Sequence, residues 1–135
     1  MKVMVCGSIG YGGVENIRDF YKKLSEQGFE ILNHIEAKGM DYSDIQDFRD
    51  KKNLVKEIVE HDLGYLDKAD VVVVLSNTPS YGTAIEMYSA KKSGKKVIFL
   101  LSEKIPTPWP LYFSDYVVKD EEELYKVLSD LKTST

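Results

Sequence analysis

Residues 70–101, DVVVVLSNTPSYGTAIEMYSAKKSGKKVIFLL, contain a strand, a turn, a helix and a second strand in direct succession. The runs at Val71–Leu75 and Lys96–Leu101 are almost continuously apolar, which is typical of parallel strands covered by helices on both faces. Between them, a Pro-Ser-Tyr-Gly turn leads into a helix predicted over Gly82–Ser93 and ended by a glycine. This unit predicts an α/β fold, and it places one acid, Glu86, just beyond a buried strand.

The rest of the chain repeats the alternation of strand and helix. The further predicted strands are Lys2–Cys6, Phe29–Leu32 and an edge strand Asp115–Val118, and the further helices are Val14–Gln27, Arg49–Asp67 and Asp120–Leu131. Right-handed crossovers then favour a single doubly wound, flavodoxin- or Rossmann-like parallel sheet of about five strands in the order 2-1-3-4-5. We expect one domain over residues 1–132 with a frayed tail at 133–135, and an irregular Pro- and aromatic-rich segment at 102–114.

Composition excludes several classes of function. A chain of 135 residues with 43% hydrophobic and 30% charged residues fits one soluble domain. A net charge of -4 argues against a nucleic-acid polymer as partner. The single cysteine, Cys6, excludes an internal disulfide, and no apolar run is long enough for a membrane span, so we predict a cytoplasmic protein. Two histidines in unrelated segments make a metal site improbable, and no cofactor is predicted.

Two loops are expected to meet where a ligand would bind. In a sheet of this order, ligands bind beyond the carboxyl ends of the first and third strands. The loops there are GSIGYGG (7–13) and NTPSYG (77–82), both rich in small residues whose backbone N–H groups can approach a ligand. The first loop is interpreted as a phosphate or sugar cradle around Ser8 and Ile9, or as a plain strand-to-helix turn.

Glu86 is the first candidate for chemistry. Thr83 and Glu86 match a capping box, in which the acid would only bond back to the helix start. Alternatively the helix begins before Thr83, and Glu86 lies in its first turn and faces the crevice. The positive end of the helix would then favour the ionised form, which suits a nucleophile.

Asp62 is the second candidate. Val55, Val59, Asp62 and Leu66 recur at spacings of four, three and four, which puts the acid on an otherwise apolar stripe. The alternative is a hydrogen-bonded or capping aspartate near the helix end. A buried unpaired carboxylate is costly, so a purely structural aspartate there would need a nearby hydrogen-bond donor. We favour an acid/base group or a clamp for a sugar hydroxyl.

The other candidates have simpler explanations beside the functional ones. Ser80 can cap the third helix and also reach an anion. His34 follows the second strand, where a solvated loop histidine is the alternative. Cys6 is interpreted as a small core residue. Trp109 and Tyr112 either stack on a base or pack at a subunit interface.

The chain resembles the nucleoside 2-deoxyribosyltransferase superfamily, closest in pattern to the 2′-deoxynucleoside 5′-monophosphate N-hydrolases. The segments that carry this resemblance, over about residues 2–101, are CGSIGYGG (6–13), LNHIEA (32–37), HDLGYLDKADVVVV (61–74) and PSYGTAIEMYSAKKSGKKVIFL (79–100). It implies that Glu86 is the nucleophile and that Asp62 acts near the base and the ribosyl hydroxyl. The predicted substrate-binding residues are Gly7, Ser8, Ile9, His34, Ser80 and Gly82.

Three positions bear on the substrate. Six residues before the nucleophile, the transferases carry an aspartate and the monophosphate hydrolases a serine; here it is Ser80, whose hydroxyl can donate to a phosphate. Gly10 stands where those hydrolases typically have an arginine. Met4 stands where a tyrosine usually orients the nucleophile, and Tyr11 or Tyr81 are the candidates to replace it.

The resemblance implies that the N-glycosidic bond breaks through a covalent glycosyl-Glu86 intermediate, which water or a second base then releases. It also implies a homodimer whose cleft is completed by the neighbour's 105–113 loop. A phosphoribohydrolase of the cytokinin-activating type is an alternative, since SYGTAIE keeps the Gly-Thr-x-x-Glu part of that family's turn. A non-catalytic nucleotide-binding module is a third possibility.

Overall fold

The computed structural model describes residues 1–75 and 78–134. Asn77 at the start of the 77–82 loop, its neighbour Ser76, and Thr135 of the predicted tail lie outside the described residues. The strands are β1 (Lys2–Cys6), β2 (Glu30–Ile31), β3 (Val71–Leu75), β4 (Lys96–Leu100) and β5 (Tyr116–Val118). All pair in parallel in the order β2-β1-β3-β4-β5, so the predicted fold class and strand order are confirmed.

The helices are α1 (Val14–Glu26), α2 (Lys52–Lys68), α3 (Tyr81–Lys92), α4 (Trp109–Tyr112) and α5 (Glu121–Thr133). The 102–114 segment is therefore not wholly irregular: α4 is one turn, with Pro110 in its first turn, where proline is tolerated. Helix α5 runs into the predicted tail, and the Thr133 hydroxyl bonds to the Ser129 carbonyl at 3.2 Å. Within residues 1–75 and 78–134, no helix is long and apolar enough to cross a membrane.

The sheet separates two apolar layers, because successive side chains of a strand point to opposite faces. Val3, Val5 and Val73 face the layer that contains α1 and α5. Met4 and Cys6 face the layer that contains α2 and α3. All five residues of β3 are buried, which explains why its sequence is continuously apolar.

Strand β2 is much shorter than the β1 strand it pairs with. The ladder joins Lys2 to Glu30 and Val3 to Ile31, and the Leu32 N–H then donates to the Val3 carbonyl at 2.8 Å. Beyond that point, the side of the Val5 backbone that faces β2 has no strand beside it. The Val5 N–H donates instead to the Tyr21 hydroxyl. The chain leaves the sheet there and crosses the carboxyl edge before α2 begins.

Candidate active site

A cavity of about 290 Å³ lies beyond the carboxyl ends of β1 and β3. This volume is at the small end of the range for small-molecule sites. The lining comes from the loop after β1, from residues 42–48 and from the start of α3: Ile9, Gly10, Tyr11, Tyr42, Ile45, Gln46, Phe48, Ser80, Tyr81 and Gly82. The two loops that the sequence analysis paired therefore do face each other.

Ser80 is the N-cap of α3. Its hydroxyl oxygen accepts from the Thr83 N–H at 3.2 Å, and its proton is donated to the Thr83 hydroxyl at 2.7 Å. The capping-box interpretation of Thr83 is wrong, because the helix begins at Tyr81. As the first two residues of α3, Tyr81 and Gly82 have N–H groups without an acceptor in the helix, and both residues line the cavity.

Glu86 lies in the second turn of α3, not the first, and only 9% of it is exposed. Its Oε2 atom has no hydrogen-bond partner among the described residues. Burial, and then the charge of Asp62, raises the pKa of Glu86 to about 8, while the Cys6 thiol works in the opposite direction. The expected preference for the ionised form is therefore wrong. Desolvation outweighs a helix end whose effect fades beyond the first turn.

Asp62 lies on the buried side of α2, with 15% of its side chain exposed. The predicted stripe was misplaced, because Val55 and Val59 are 40% and 49% exposed. The buried line runs instead through Ile58, Asp62 and Leu66, each one turn apart. Burial raises the pKa of Asp62, and a contact of 3.1 Å between its Oδ1 and Nδ1 of the adjacent His61 lowers it.

The two acids converge although they belong to different helices. The charge of Asp62 raises the pKa of both Glu86 and Cys6. Cys6 is fully buried beside Glu86, and burial first, then the Glu86 charge, raises the pKa of the thiol well above its usual value. Cys6 is thus part of the surroundings of Glu86, as well as a core residue. Met4, two residues earlier, is buried in the same layer.

Tyr42 belongs to the site, and sequence reasoning missed it. It lines the cavity, and its pKa is raised to about 12 by burial and then by the charges of Asp62 and Glu86. Tyr11 and Tyr81, named as replacements for a tyrosine at Met4, also line the cavity but are largely exposed. The only signal for Tyr42 in the sequence was its aromatic side chain within the polar segment between β2 and α2.

His34 is 2% exposed, so the solvated-loop interpretation is wrong. Its Nδ1 lies 2.7 Å from the hydroxyl oxygen of Tyr21 in α1. Burial, and then the nearby His61, lowers the pKa of His34 to about 4, so its imidazole is neutral at physiological pH. Tyr21 recurs with Ile17 and Leu24 at the helical spacing of three and four residues, which is typical of a buried helix face. That spacing gave no indication of this bond.

The predicted cradle in the 7–13 loop is only partly at the cavity. Ile9 and Gly10 line it, whereas Gly7 and Ser8 do not. Gly7 is tightly packed, since a Cβ there would lie 3.3 Å from Cγ1 of Ile17. Ser8 is fully buried, and its hydroxyl has no hydrogen-bond partner among the described residues.

Comparison with solved structures finds proteins with the same architecture. A 2-deoxyribosyltransferase from the psychrotolerant bacterium Bacillus psychrosaccharolyticus superposes with a TM-score of 0.73, covering 92% of this chain and 90% of that chain at 14% identity. A CMP N-glycosidase, BcmB, from Clostridium botulinum superposes with a TM-score of 0.58, covering 96% and 98% at 21% identity. The chain shares the fold of these two proteins. No family model matches its sequence, and curated proteins gave no match.

The resemblance to nucleoside 2-deoxyribosyltransferases noted in the sequence is thus confirmed at the level of the fold. The other large hollow, about 470 Å³ between α1 and the residues after β2, contains Arg18, Lys22 and Glu26, and neither Glu86 nor Asp62 is among the lining residues of this hollow or of the 290 Å³ cavity. Within the described part of the chain, no three His, Cys, Asp or Glu side chains are placed to hold a metal ion.

Proposed function

We propose that this protein is an N-glycosidase that cleaves the base from the sugar of a nucleoside 5′-monophosphate, with Glu86 as nucleophile and Asp62 as acid. The observation that carries the proposal is the buried Glu86 carboxyl group, whose Oε2 has no hydrogen-bond partner among the described residues, with the Asp62 carboxyl group on the buried side of the adjacent helix α2. The shared fold with a deoxyribosyltransferase and a CMP N-glycosidase supports this class of reaction.

The chemistry follows from the pair of acids. Glu86 attacks the anomeric carbon as a carboxylate, and the electrons of the C–N bond pass to the departing base, which takes a proton from Asp62. Water then attacks the anomeric carbon of the glycosyl ester and gives its proton to the Asp62 carboxylate, which releases the sugar phosphate and the Glu86 carboxylate and restores the acid. Two neighbouring carboxyl groups resist double ionisation, so one proton shared between them provides the acid that this step needs.

The deep position of Glu86 fits a nucleophile in this reaction. The sugar gains positive charge as the C–N bond breaks, and a carboxylate in a dry site stabilises that charge more strongly than one in water. The unpartnered Oε2 of Glu86 leaves bonding capacity for the sugar. The high pKa is the cost of that position, since Glu86 must lose its proton before it attacks.

The site would hold a phosphate mainly through backbone groups. The Ser80 hydroxyl already donates to Thr83, so the N–H groups of Tyr81 and Gly82 at the positive end of α3 are the donors that remain. Among the described residues that line the cavity there is no lysine or arginine. That observation favours a second candidate, a nucleoside deoxyribosyltransferase that moves the sugar of an uncharged nucleoside between bases.

A substrate panel tests the proposal. The protein is incubated with ribo- and deoxyribonucleosides and their 5′-monophosphates, with and without a second base, and free base is followed by chromatography. Glu86→Gln should lower turnover by at least about 10³-fold, whereas Glu57→Gln, an exposed acid of α2, should not. Wild-type turnover in Glu86→Gln would exclude the covalent mechanism.

The panel also separates the alternatives. Cleavage of ribonucleotides alone would favour a phosphoribohydrolase, and new nucleosides formed with a second base would favour transfer. Binding of a nucleotide without any turnover would identify a non-catalytic module.

Gly10→Arg tests how phosphate is recognised. Gly10 lines the cavity, and an added Cβ would meet only the Tyr42 ring, at an ordinary distance of 3.6 Å. The variant should raise kcat/KM for the 5′-monophosphate relative to the free nucleoside by about tenfold or more, because a guanidinium binds phosphate strongly. Gly10→Gln is the uncharged control, and an equal change for both substrates would contradict a phosphate near this loop.

We also propose that two copies assemble through one apolar face. Helices α2, α3 and α4 leave large apolar side chains exposed: Val55, Val59, Leu63, Ile85, Tyr88, Trp109, Leu111 and Tyr112. Ring contacts of 5.6 and 5.0 Å join Tyr88 through Phe113 to Tyr112, so α3 and α4 form a continuous patch. Sedimentation at micromolar concentration should show a dimer that Ile85→Lys dissociates; a monomeric wild type contradicts the assembly. A cytoplasmic location stays a prediction.

A further inference from the structure

The structure assigns a positioning role to Tyr21: its hydroxyl fixes His34 in the tautomer that carries its proton on Nε2, which makes His34 a neutral hydrogen-bond donor. The value of this donor in catalysis rests on the proposed function, whereas the tautomer itself does not. Tyr21 belongs to α1 and lies 1% exposed on the opposite face of the sheet from Glu86.

The role of Tyr21 begins with the short strand β2. Because β2 ends after two residues, the Val5 N–H has no strand carbonyl to pair with and donates to the Tyr21 hydroxyl oxygen at 2.9 Å. A buried N–H group without an acceptor is costly, so this bond fixes the position of the phenol and uses its oxygen as an acceptor.

The phenol proton then has two possible acceptors. His34 Nδ1 lies 2.7 Å from the hydroxyl oxygen, and the Val5 carbonyl lies 3.3 Å from it. The Nδ1 distance is the usual one for a hydroxyl donor and the carbonyl distance is long, so the proton goes to Nδ1. A nitrogen that accepts carries no proton, and neutral imidazole must then carry its proton on Nε2. Burial raises the pKa of Tyr21 well above its usual value, which keeps the phenol protonated.

A neutral donor suits the reaction proposed for this site. His34 lies close enough to His61, the neighbour of Asp62, for His61 to oppose the protonation of His34 and lower its pKa. An imidazolium there would repel the positive charge that the sugar gains when the C–N bond breaks. A neutral Nε2–H can instead bind an acceptor atom of the substrate on the Asp62 side without that repulsion.

Nitrogen NMR tests the tautomer directly. The chain has two histidines, so long-range ¹H–¹⁵N spectra contain two imidazoles, and His61→Gln identifies the signals of His34. The wild type should show His34 protonated on Nε2 at pH 7. Tyr21→Phe should give a mixture of tautomers or protonation on Nδ1, and Tyr125→Phe, which removes a hydroxyl from the same apolar layer, should change nothing. Protonation on Nδ1 in the wild type overturns the inference.

Kinetics test whether the tautomer matters to the reaction. Tyr21→Phe should lower kcat/KM about tenfold, the value of one hydrogen bond. Glutamine at position 34 offers an amide N–H in place of Nε2–H and has no tautomers. In a His34→Gln background, Tyr21→Phe should therefore have no further effect. Equal losses in both backgrounds would make Tyr21 merely structural. If no substrate is turned over, the proposed function fails, and the NMR result still decides the tautomer.

Discussion

His34 and Glu86 are both buried polar side chains near the carboxyl edge of the sheet, and the fold treats them differently. His34 is bonded to the Tyr21 hydroxyl of α1 at 2.7 Å. On the face covered by α2 and α3, Glu86 leaves Oε2 without a partner among the described residues. Both are uncharged at neutral pH, His34 because its pKa is about 4 and Glu86 because its pKa is about 8.

The contrast shows how residues that position a site can be distinguished from residues that react in it. A buried group with a good hydrogen bond is held in one orientation, as His34 is through its Nδ1. A buried group without a partner raises the energy of the folded chain, and such groups are expected to have a reason in function. The fold therefore favours a positioning role for the residues around His34 and a reactive role for Glu86.

The largest effect on this contrast is expected from Glu86→Gln. Glu86 binds its proton more tightly in the folded chain than in the unfolded chain, so its contribution to stability falls as pH rises from 4.5 to about 8. One pKa unit is about 1.4 kcal/mol, so the variant should gain on the order of 3 to 5 kcal/mol over the wild type between pH 4.5 and pH 9. Urea unfolding at both pH values measures the gain. Parallel curves for variant and wild type would show that Glu86 is ionised without penalty.

A smaller loss is expected from Tyr21→Phe. The variant leaves the Val5 N–H and His34 Nδ1 without their partner, which should cost about 1 to 3 kcal/mol in the free energy of unfolding. Tyr125→Phe is the control and should cost little. Below pH 6.5 the unfolded chain protonates His34 first, so the contribution of His34 to stability falls as pH drops toward 4. His34→Gln should abolish that slope, and a slope that persists would mean that other groups cause it.

The smallest effect is a shift of one pKa. Asp62→Asn removes the negative charge that opposes ionisation of Glu86, so the pKa of Glu86 should fall from about 8, though not to its ordinary value, since burial is the larger cause. Titration of the Glu86 carboxyl carbon by ¹³C NMR measures this shift without any need for activity. In the wild type, kcat/KM should fall as pH rises through about 8, because the pair of acids then loses the single proton that the proposed mechanism gives to the departing base. An unchanged pKa in Asp62→Asn would place the acids too far apart for a shared proton.

The fold could be predicted from the sequence because β3 and β4 are apolar on both faces. Such strands must be covered by helices on both sides, as in a parallel sheet. The sequence also indicated both acids, since a carboxylate among apolar neighbours is conspicuous on a helix. It gave the wrong neighbours for Asp62, because spacings of three and four fit two adjacent faces of α2, and Val55 and Val59 lie on the exposed one.

Other features depended on facts that no local pattern contains. The ionisation of Glu86 depends on how deeply α3 is buried and on the distance to another helix. The bond between Tyr21 and His34 depends on β2 stopping after two residues, which leaves a gap in the ladder for a side chain to fill. Tyr42 reaches the acids only because the loop after β2 folds back over the sheet edge.

The early end of β2 has one more consequence. The backbone between Leu32 and Lys51 is released from the sheet ladder while it crosses the mouth of the cavity. Insertions, deletions and side-chain changes in this stretch disturb no strand pairing, and the two acids remain anchored on their helices. A protein with this architecture can therefore change the shape of the cavity by remodelling one connection, while α2 with Asp62 and α3 with Glu86 stay in place.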